Sequence, residues 1–216
     1  LDPTRLEARL AQISPTRCGD WPAPRPAVGG TAYLAVRDGQ GMGVSLIQSN
    51  FHGIGSRIGA GNAGFFLHDR GSNFTLQPGH PNELAPGKRP LHTLAPTLWT
   101  EGDQIRMILG TRGGDFQPQT LLQMAAYLRW VGLVGREAHR QPRWTTSEWR
   151  SSDRTVAMEP HLDPAAITDL RARGHEIRST GQWMAGWGPV SLITVRGEDA
   201  IGAADPRVAA TSARAT

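Results

Sequence analysis

A chain of 216 residues, 38% of them hydrophobic and with a formal charge of +4, can build one sizeable core. Its single cysteine, Cys18, excludes an internal disulfide framework and a metal site of paired cysteines, and its basic residues are too scattered for the clustering that nucleic-acid binding favours. No run approaches the ~18–20 apolar residues of a membrane-spanning helix, so neither a nucleic acid nor a membrane is an expected partner.

The chain opens at Leu1 within helical spacing and reads as a fragment; its compartment, cytoplasmic or periplasmic and secreted, stays open. Residues 1–14 place Leu6, Leu10 and Ile13 on one helical face. Pro15, Pro22, Pro24 and Pro26 make 15–30 a linker, which ends in Gly29-Gly30 directly before Thr31. Strands are predicted at 31–37 and 43–49, with Asp38-Gly39-Gln40-Gly41 as the tight turn between them. Residues 50–64 carry Gly53, Gly55, Gly59, Gly61 and Gly64 but neither spacing known for phosphate loops. They read as a loop that lets backbone pass close to a ligand. A strand-like stretch at 65–68, a long loop at 69–90 and strands at 94–99 and 104–109 follow.

After Gly113-Gly114 comes the strongest helix, within 120–134, with Leu121, Leu122, Met124, Ala125, Leu128 and Val131 as its apolar face. A second helix at 165–173 ends at Gly174, and strands near 175–179, 190–195 and 200–204 close the chain. Strands at both ends with helices between them fit an α+β fold of two sheets with helices outside, better than a lone parallel βαβ unit.

Thr31 is the residue with the most chemistry to offer. A threonine freed as an N-terminus carries its own base, because its α-amine titrates near pH ~7.7–8.0 and can take the hydroxyl proton. A Gly-Gly pair before it allows the contorted backbone that self-cleavage needs, although the bland reading is a simple turn. The seven histidines show no His-Glu-x-x-His spacing, so no metal is expected, and no cofactor either. His80 and His175 belong in loops or at an element's edge. The tryptophans between Trp130 and Trp187 read as packing or interface residues, and Arg89 as a loop-shaping partner of carboxylates.

Six segments, in order, carry a family resemblance: Gly29-Gly30-Thr31; Val44-Ser45-Leu46-Ile47-Gln48-Ser49-Asn50; Pro86-Gly87-Lys88-Arg89-Pro90; Gly110-Thr111-Arg112-Gly113-Gly114-Asp115; Glu137-Ala138 with Pro142-Arg143; and Gly202-Ala203-Ala204-Asp205-Pro206-Arg207. Over about residues 29–207 the chain resembles the catalytic small subunit of the γ-glutamyltransferase (γ-glutamyltranspeptidase, glutathione hydrolase) family. The resemblance implies an N-terminal nucleophile hydrolase with an αββα sandwich, here partial because the upstream large-subunit part is lacking. It implies self-cleavage between Gly30 and Thr31, so that 1–30 is the tail of the large subunit, 31–216 is the small subunit, and the partner is the chain's own large subunit. It makes Thr31 the nucleophile, Ser49 the hydroxyl that bonds the nucleophile's amine, and the N–H groups of Gly113 and Gly114 the oxyanion donors. Asp205-Pro206-Arg207 reads as a structural turn.

Asn50 or Phe51 falls where the family has a substrate-contacting asparagine, Asn50 being the preferred match. The sequence departs from the family at the substrate grip. Asn73 stands where the best-studied members have an aspartate for the substrate ammonium, and an amide lacks that charge. His92-Thr93 replaces a Ser-Ser pair for the carboxylate, and Arg70 replaces a glutamine, adding positive charge that suits an acidic substrate. The implied activity is hydrolysis or transfer of γ-glutamyl groups, with glutathione as default donor. The alternatives are a cephalosporin or glutaryl amide acylase of the same fold and a non-catalytic homologue.

Overall fold

The computed structural model describes residues 30–146, 155–182, 184–209 and 211–215, with scattered positions before residue 18. Two compact units form, 27–141 with 185–216 and 1–26 with 142–184. In chain order the elements are β1 (Thr31–Arg37), β2 (Gly43–Ser49), β3 (Thr97–Glu101), β4 (Gln104–Thr111), α1 (Gln117–Ala126), α2 (Gly135–Arg140), β5 (Trp144–Thr145), β6 (Thr155–Met158), α3 (Pro164–Ala172), β7 (Glu176–Ser179), β8 (Val190–Arg196) and β9 (Asp199–Ala203). The expected helix at 1–14 and linker at 15–30 lie largely outside the described residues, as do Cys18, Leu6 and Gly29.

In the first unit β1 and β2 form the expected antiparallel hairpin, with Thr31 opposite Ser49 and Arg37 opposite Gly43. Asp38 makes the turn by accepting the N–H groups of Gln40 and Met42 on Oδ1, each at 2.9 Å. Side chains alternate strictly. Thr31, Tyr33 and Ala35 lie half-buried on the inner face with Ser45, Ile47 and Ser49, while Leu34, Val36, Val44 and Leu46 are exposed on the outer one.

A four-stranded sheet, ordered β3-β4-β8-β9, lies against the inner face. β4 is buried on both sides. Ile108 and Gly110 face the hairpin, where a Cβ on Gly110 would overlap the Tyr33 ring and one on Gly43 would press on Ile108. Met107 and Leu109 face the other way, into a core with Leu121, Met124, Ala125 and Leu128 of the helical side and Val190 and Leu192 of β8. Hairpin, sheet and helices are thus three successive layers, each burying one apolar face.

Several expectations about elements need correcting. The main helix begins earlier and stops sooner: α1 ends at Ala126, a π turn covers Tyr127–Val131, and Gly132 closes it in the left-handed region. Val131 therefore leaves the apolar face and is exposed, because the wider turn breaks the helical spacing; Leu122, within the regular part of α1, is exposed as well. Residues 65–68 form only an isolated bridge between Phe66 and Gly59, lacking a partner strand. Among the described residues Arg89 is exposed and no carboxylate pairs with it. α2, β5 and β6 had no clear signal.

The stretch 205–207 is far more than a turn. Asp205 is buried, accepts the N–H groups of Val190 and Arg207 at 2.9 and 3.0 Å, and lies 3.5 Å from buried His139. Arg207 reaches the carbonyls of His139 and Gln141 at 2.7 and 3.0 Å, locking α2 to the end of β9. Inside a water-excluded core such a network is strong because every group has a partner.

The second unit holds the sheet β5-β6-β7, in which β6 and β7 are parallel and joined across by α3. Asp163 caps α3 through its side chain to Ala165 N–H at 2.9 Å, and Pro164 follows at the first helical position. Buried Glu159 accepts from Arg143 N–H at 2.9 Å and from Met184 N–H at 2.7 Å, which holds the unit's sheet edge closed.

Candidate active site

The end of the hairpin gathers the residues that the sequence singled out. Because Thr31 and Ser49 are cross-strand partners on the inner face, their side chains meet: the Thr31 hydroxyl donates to Ser49 Oγ at 2.9 Å. Ser49 Oγ also accepts the Phe51 N–H at 3.0 Å, so both of its lone pairs are used. Thr31 is still linked to Gly30 here, and its nitrogen is a peptide N–H rather than an amine. Gly30 needs to be glycine, since a Cβ there would lie 2.8 Å from the Gly53 carbonyl oxygen.

The chain then turns sharply. Phe51 has φ +77°, in the left-handed region where a bulky residue is strained. The turn is pinned from outside by Asp69, whose Oδ1 accepts His52 N–H at 3.0 Å and whose Oδ2 meets His52 Nδ1 at 2.8 Å. Burial pushes the Asp69 carboxyl up, but these His52 contacts outweigh it and hold the group below its usual value. Asn50 supplies its backbone to the same junction by accepting the Asp69 N–H at 3.2 Å. Next in the chain, the Arg70 side chain is buried, with its guanidinium 5.0 Å from the centre of the Phe51 ring.

Asn73 and the pair His92-Thr93 come together less directly. The Asn73 amide donates to the Leu91 carbonyl at 2.8 Å, one residue before His92. Asn82 bridges the two segments, donating to Asn73 O and accepting the Leu91 N–H. His92 is exposed and its Nδ1 accepts Leu94 N–H at 3.2 Å.

Gly113 and Gly114 leave β4 with φ +125° and +56°, conformations that glycine alone adopts without strain. No hydrogen bond joins them to Thr31 among the described residues, but Tyr33, two residues along the same hairpin face, lies on Gly110 of the strand that leads to them. Their turn is held by Thr111, fully buried, whose hydroxyl lies 3.0 Å from both the Arg112 and the Pro189 carbonyls. Gly188 lies so close to the Arg112 carbonyl that a Cβ would overlap it. Asp115, just beyond, has its carboxyl pushed up by burial. Among the described residues no three His, Cys, Asp or Glu side chains gather to hold a metal ion.

Sequence reasoning weighed Phe51 only as the alternative to Asn50 and missed the His52–Asp69 pair, Thr111 and Gly188. A bulky residue between Asn50 and glycine-rich sequence was a signal of sorts for Phe51, whereas nothing local marks Thr111.

A family model described as gamma-glutamyltranspeptidase matches residues 1–215. The chain belongs to the gamma-glutamyltranspeptidase family. Among its relatives, the glutathione hydrolase-like YwrD proenzyme of Bacillus subtilis is 35% identical over 85% of this chain and 35% of its own length. The oxamate amidohydrolase proenzyme of Klebsiella pneumoniae is 34% identical over 96% of this chain and 39% of its own. The chain thus spans between a third and two-fifths of these curated relatives. Among solved structures, a cephalosporin acylase from Bacillus halodurans is 34% identical, with a TM-score of 0.71 over 81% of this chain and 32% of that one. The gamma-glutamyltranspeptidase of Pseudomonas nitroreducens complexed with L-DON superposes with a TM-score of 0.70 over 85% of this chain and 99% of that one, at 23% identity, a likeness of fold. The α+β, N-terminal nucleophile hydrolase fold implied by the gamma-glutamyltranspeptidase resemblance holds.

Proposed function

We propose that this chain carries the nucleophile of a self-processing amide hydrolase or acyl transferase, with Thr31 as nucleophile and γ-glutamyl amides, glutathione first among them, as reference donors. The observation that carries this reading is the 2.9 Å bond from the Thr31 hydroxyl to Ser49, made at the end of a hairpin and directly after a glycine that nothing larger could replace.

In maturation the Thr31 hydroxyl oxygen adds to the Gly30 carbonyl carbon. The Gly30–Thr31 C–N bond breaks as the nitrogen takes up the hydroxyl proton, leaving an ester, and water hydrolyses that ester to a Gly30 carboxylate and a free Thr31 amine. In turnover the same oxygen adds to the substrate's amide carbon and the α-amine takes its proton. The amine leaving group departs with that proton, and water or an amino acid resolves the acyl ester. When the Thr31 hydroxyl turns from Ser49 to its own α-amine, it releases a lone pair on Ser49 Oγ that can accept an N–H of that amine. The Gly113 and Gly114 N–H groups take the oxyanion; removing one such donor typically costs ~10²–10³ in rate.

A second reading, an acylase for glutaryl-type amides, is favoured by Asn73, which offers no charge to a substrate ammonium, and by the likeness to the cephalosporin acylase. The partner we propose is the remaining part of the same precursor, lying on the apolar outer face of the hairpin. Relatives named as proenzymes and about two and a half times as long support this.

The deciding experiment is intact mass of the full precursor after incubation. Two fragments that divide between Gly30 and Thr31, with the division abolished in Thr31→Ala, are expected. A single uncut species under every condition would remove Thr31 as nucleophile and favour a non-catalytic binding role.

A further inference from the structure

Arg70 is a buried cation whose neighbouring acid is already committed. Its side chain is 6% exposed, and its Nη1 has no hydrogen-bond partner among the described residues. Asp69 is the carboxylate that acts on it, yet both Asp69 oxygens are taken by His52. Burial works against the charge, but a guanidinium stays protonated throughout the neutral range. A buried charge with no hydrogen-bonded counter-ion is costly, so such a group is poised to gain from an anion.

Its position gives the anion a role. The guanidinium lies against the Phe51 ring, the Phe51 N–H bonds Ser49, and Ser49 bonds the Thr31 hydroxyl. Through Phe51 and Ser49 the carboxylate-matching fork is thus linked to the reacting hydroxyl. Phe51 is held in its strained conformation by the same His52–Asp69 clasp that leaves Arg70 without an acid.

Resting on Thr31 as nucleophile, we infer that Arg70 anchors a carboxylate at the far end of the substrate's acyl group, and that this acyl group bears no ammonium beside it. The substrate class is the monoamides of short dicarboxylic acids. A γ-glutamyl group has the carboxylate but sets an ammonium next to it, where a buried guanidinium repels it and Asn73 offers no compensating charge.

The test uses the full precursor and three anilides that differ only in the acyl end: glutaryl, γ-glutamyl and butyryl. The wild type is expected to favour glutaryl over γ-glutamyl by about tenfold or more in kcat/KM. In Arg70→Gln the glutaryl-to-butyryl ratio is expected to fall by about 30-fold, chiefly through KM, as loss of a charged hydrogen bond would give. Arg70→Lys, which keeps the charge without the fork, is expected to fall less and guards against a misfolded glutamine variant. A wild-type preference for γ-glutamyl, or a loss in Arg70→Gln that is equal for all three anilides, would overturn the inference; the latter would mean that Arg70 serves only to support Phe51. Glutarate binding separates this from failure of the nucleophile. If no anilide turns over, glutarate but not butyrate should still raise the melting temperature of wild type and not of Arg70→Gln. Absence of that shift would overturn the inference independently of Thr31.

Discussion

At the scale of single residues, hydroxyls that hold other groups in place decide most of the site. Ser49 accepts both the Thr31 hydroxyl and the Phe51 N–H, so Ser49→Ala strands two donors at once. It is expected to slow self-cleavage by ~10²-fold or more, while Ser49→Thr retains most of the rate; time-resolved gel densitometry of the precursor distinguishes them. Thr111 touches no substrate in the proposed chemistry, yet it ties two carbonyls behind the Gly113 turn. Thr111→Val is expected to cost about 1–3 kcal/mol by urea unfolding and to lower kcat with little change in KM, with Thr111→Ser rescuing both. Asp69 sets a pH dependence of defined sign. Its carboxyl is lowered in the folded state, so its contribution is present above the unfolded value of ~3.9 and is lost as pH falls through the folded value. The stability difference between wild type and Asp69→Asn should hold above that range and shrink below it.

At the scale of elements, the hairpin was legible to the residue because strict alternation and an Asp-Gly turn are local signals, and β8 and β9 were nearly so. The main helix was legible in type but not in extent. Its apolar face was read on a uniform spacing, and the π turn at Tyr127–Val131 turns Val131 outward. The Asp205–Arg207 network and the Thr111 clamp were illegible because their partners lie far off in sequence: Arg207 with His139, Thr111 with Pro189. Within the site, Ser49 was marked by the family resemblance and the hairpin register sets it opposite Thr31, whereas the burial of Arg70 against Phe51 needed the fold. Close approach of elements also explains which glycines are irreplaceable. Gly188→Ala drives a Cβ into the Arg112 carbonyl at a positive φ, and backbone cannot step aside as a side chain can. It is expected to destabilise by about 3 kcal/mol or more, whereas Gly39→Ala, with nothing near it, stays within about 1 kcal/mol in the same unfolding assay.

At the scale of the whole molecule, Leu34, Val36, Val44 and Leu46 leave the outer hairpin face apolar, 45–51% exposed. Contiguous surface of this kind marks an interaction face. If the remainder of the precursor covers it, Leu46→Lys in the full-length protein buries a charge and lowers the melting temperature by several degrees; an unchanged melting temperature would leave the face bare and argue against that partner. The path of the chain has a further consequence, in time. β4 must find β8, whose neighbour Pro189 meets Thr111 from 78 positions away, and residues 142–184 fold as a separate unit in between. Closing so long a loop is slow, and none of it can begin before the segment has been synthesised. The Gly113 turn is braced from 188–189, so in the proposed chemistry Thr31 can act only once the residues leading into β8 have arrived. If Thr31 is the nucleophile proposed above, ribosomes stalled before Val190 should carry only uncut chains, with cleavage timed by the arrival of β8 rather than by the synthesis of the threonine itself.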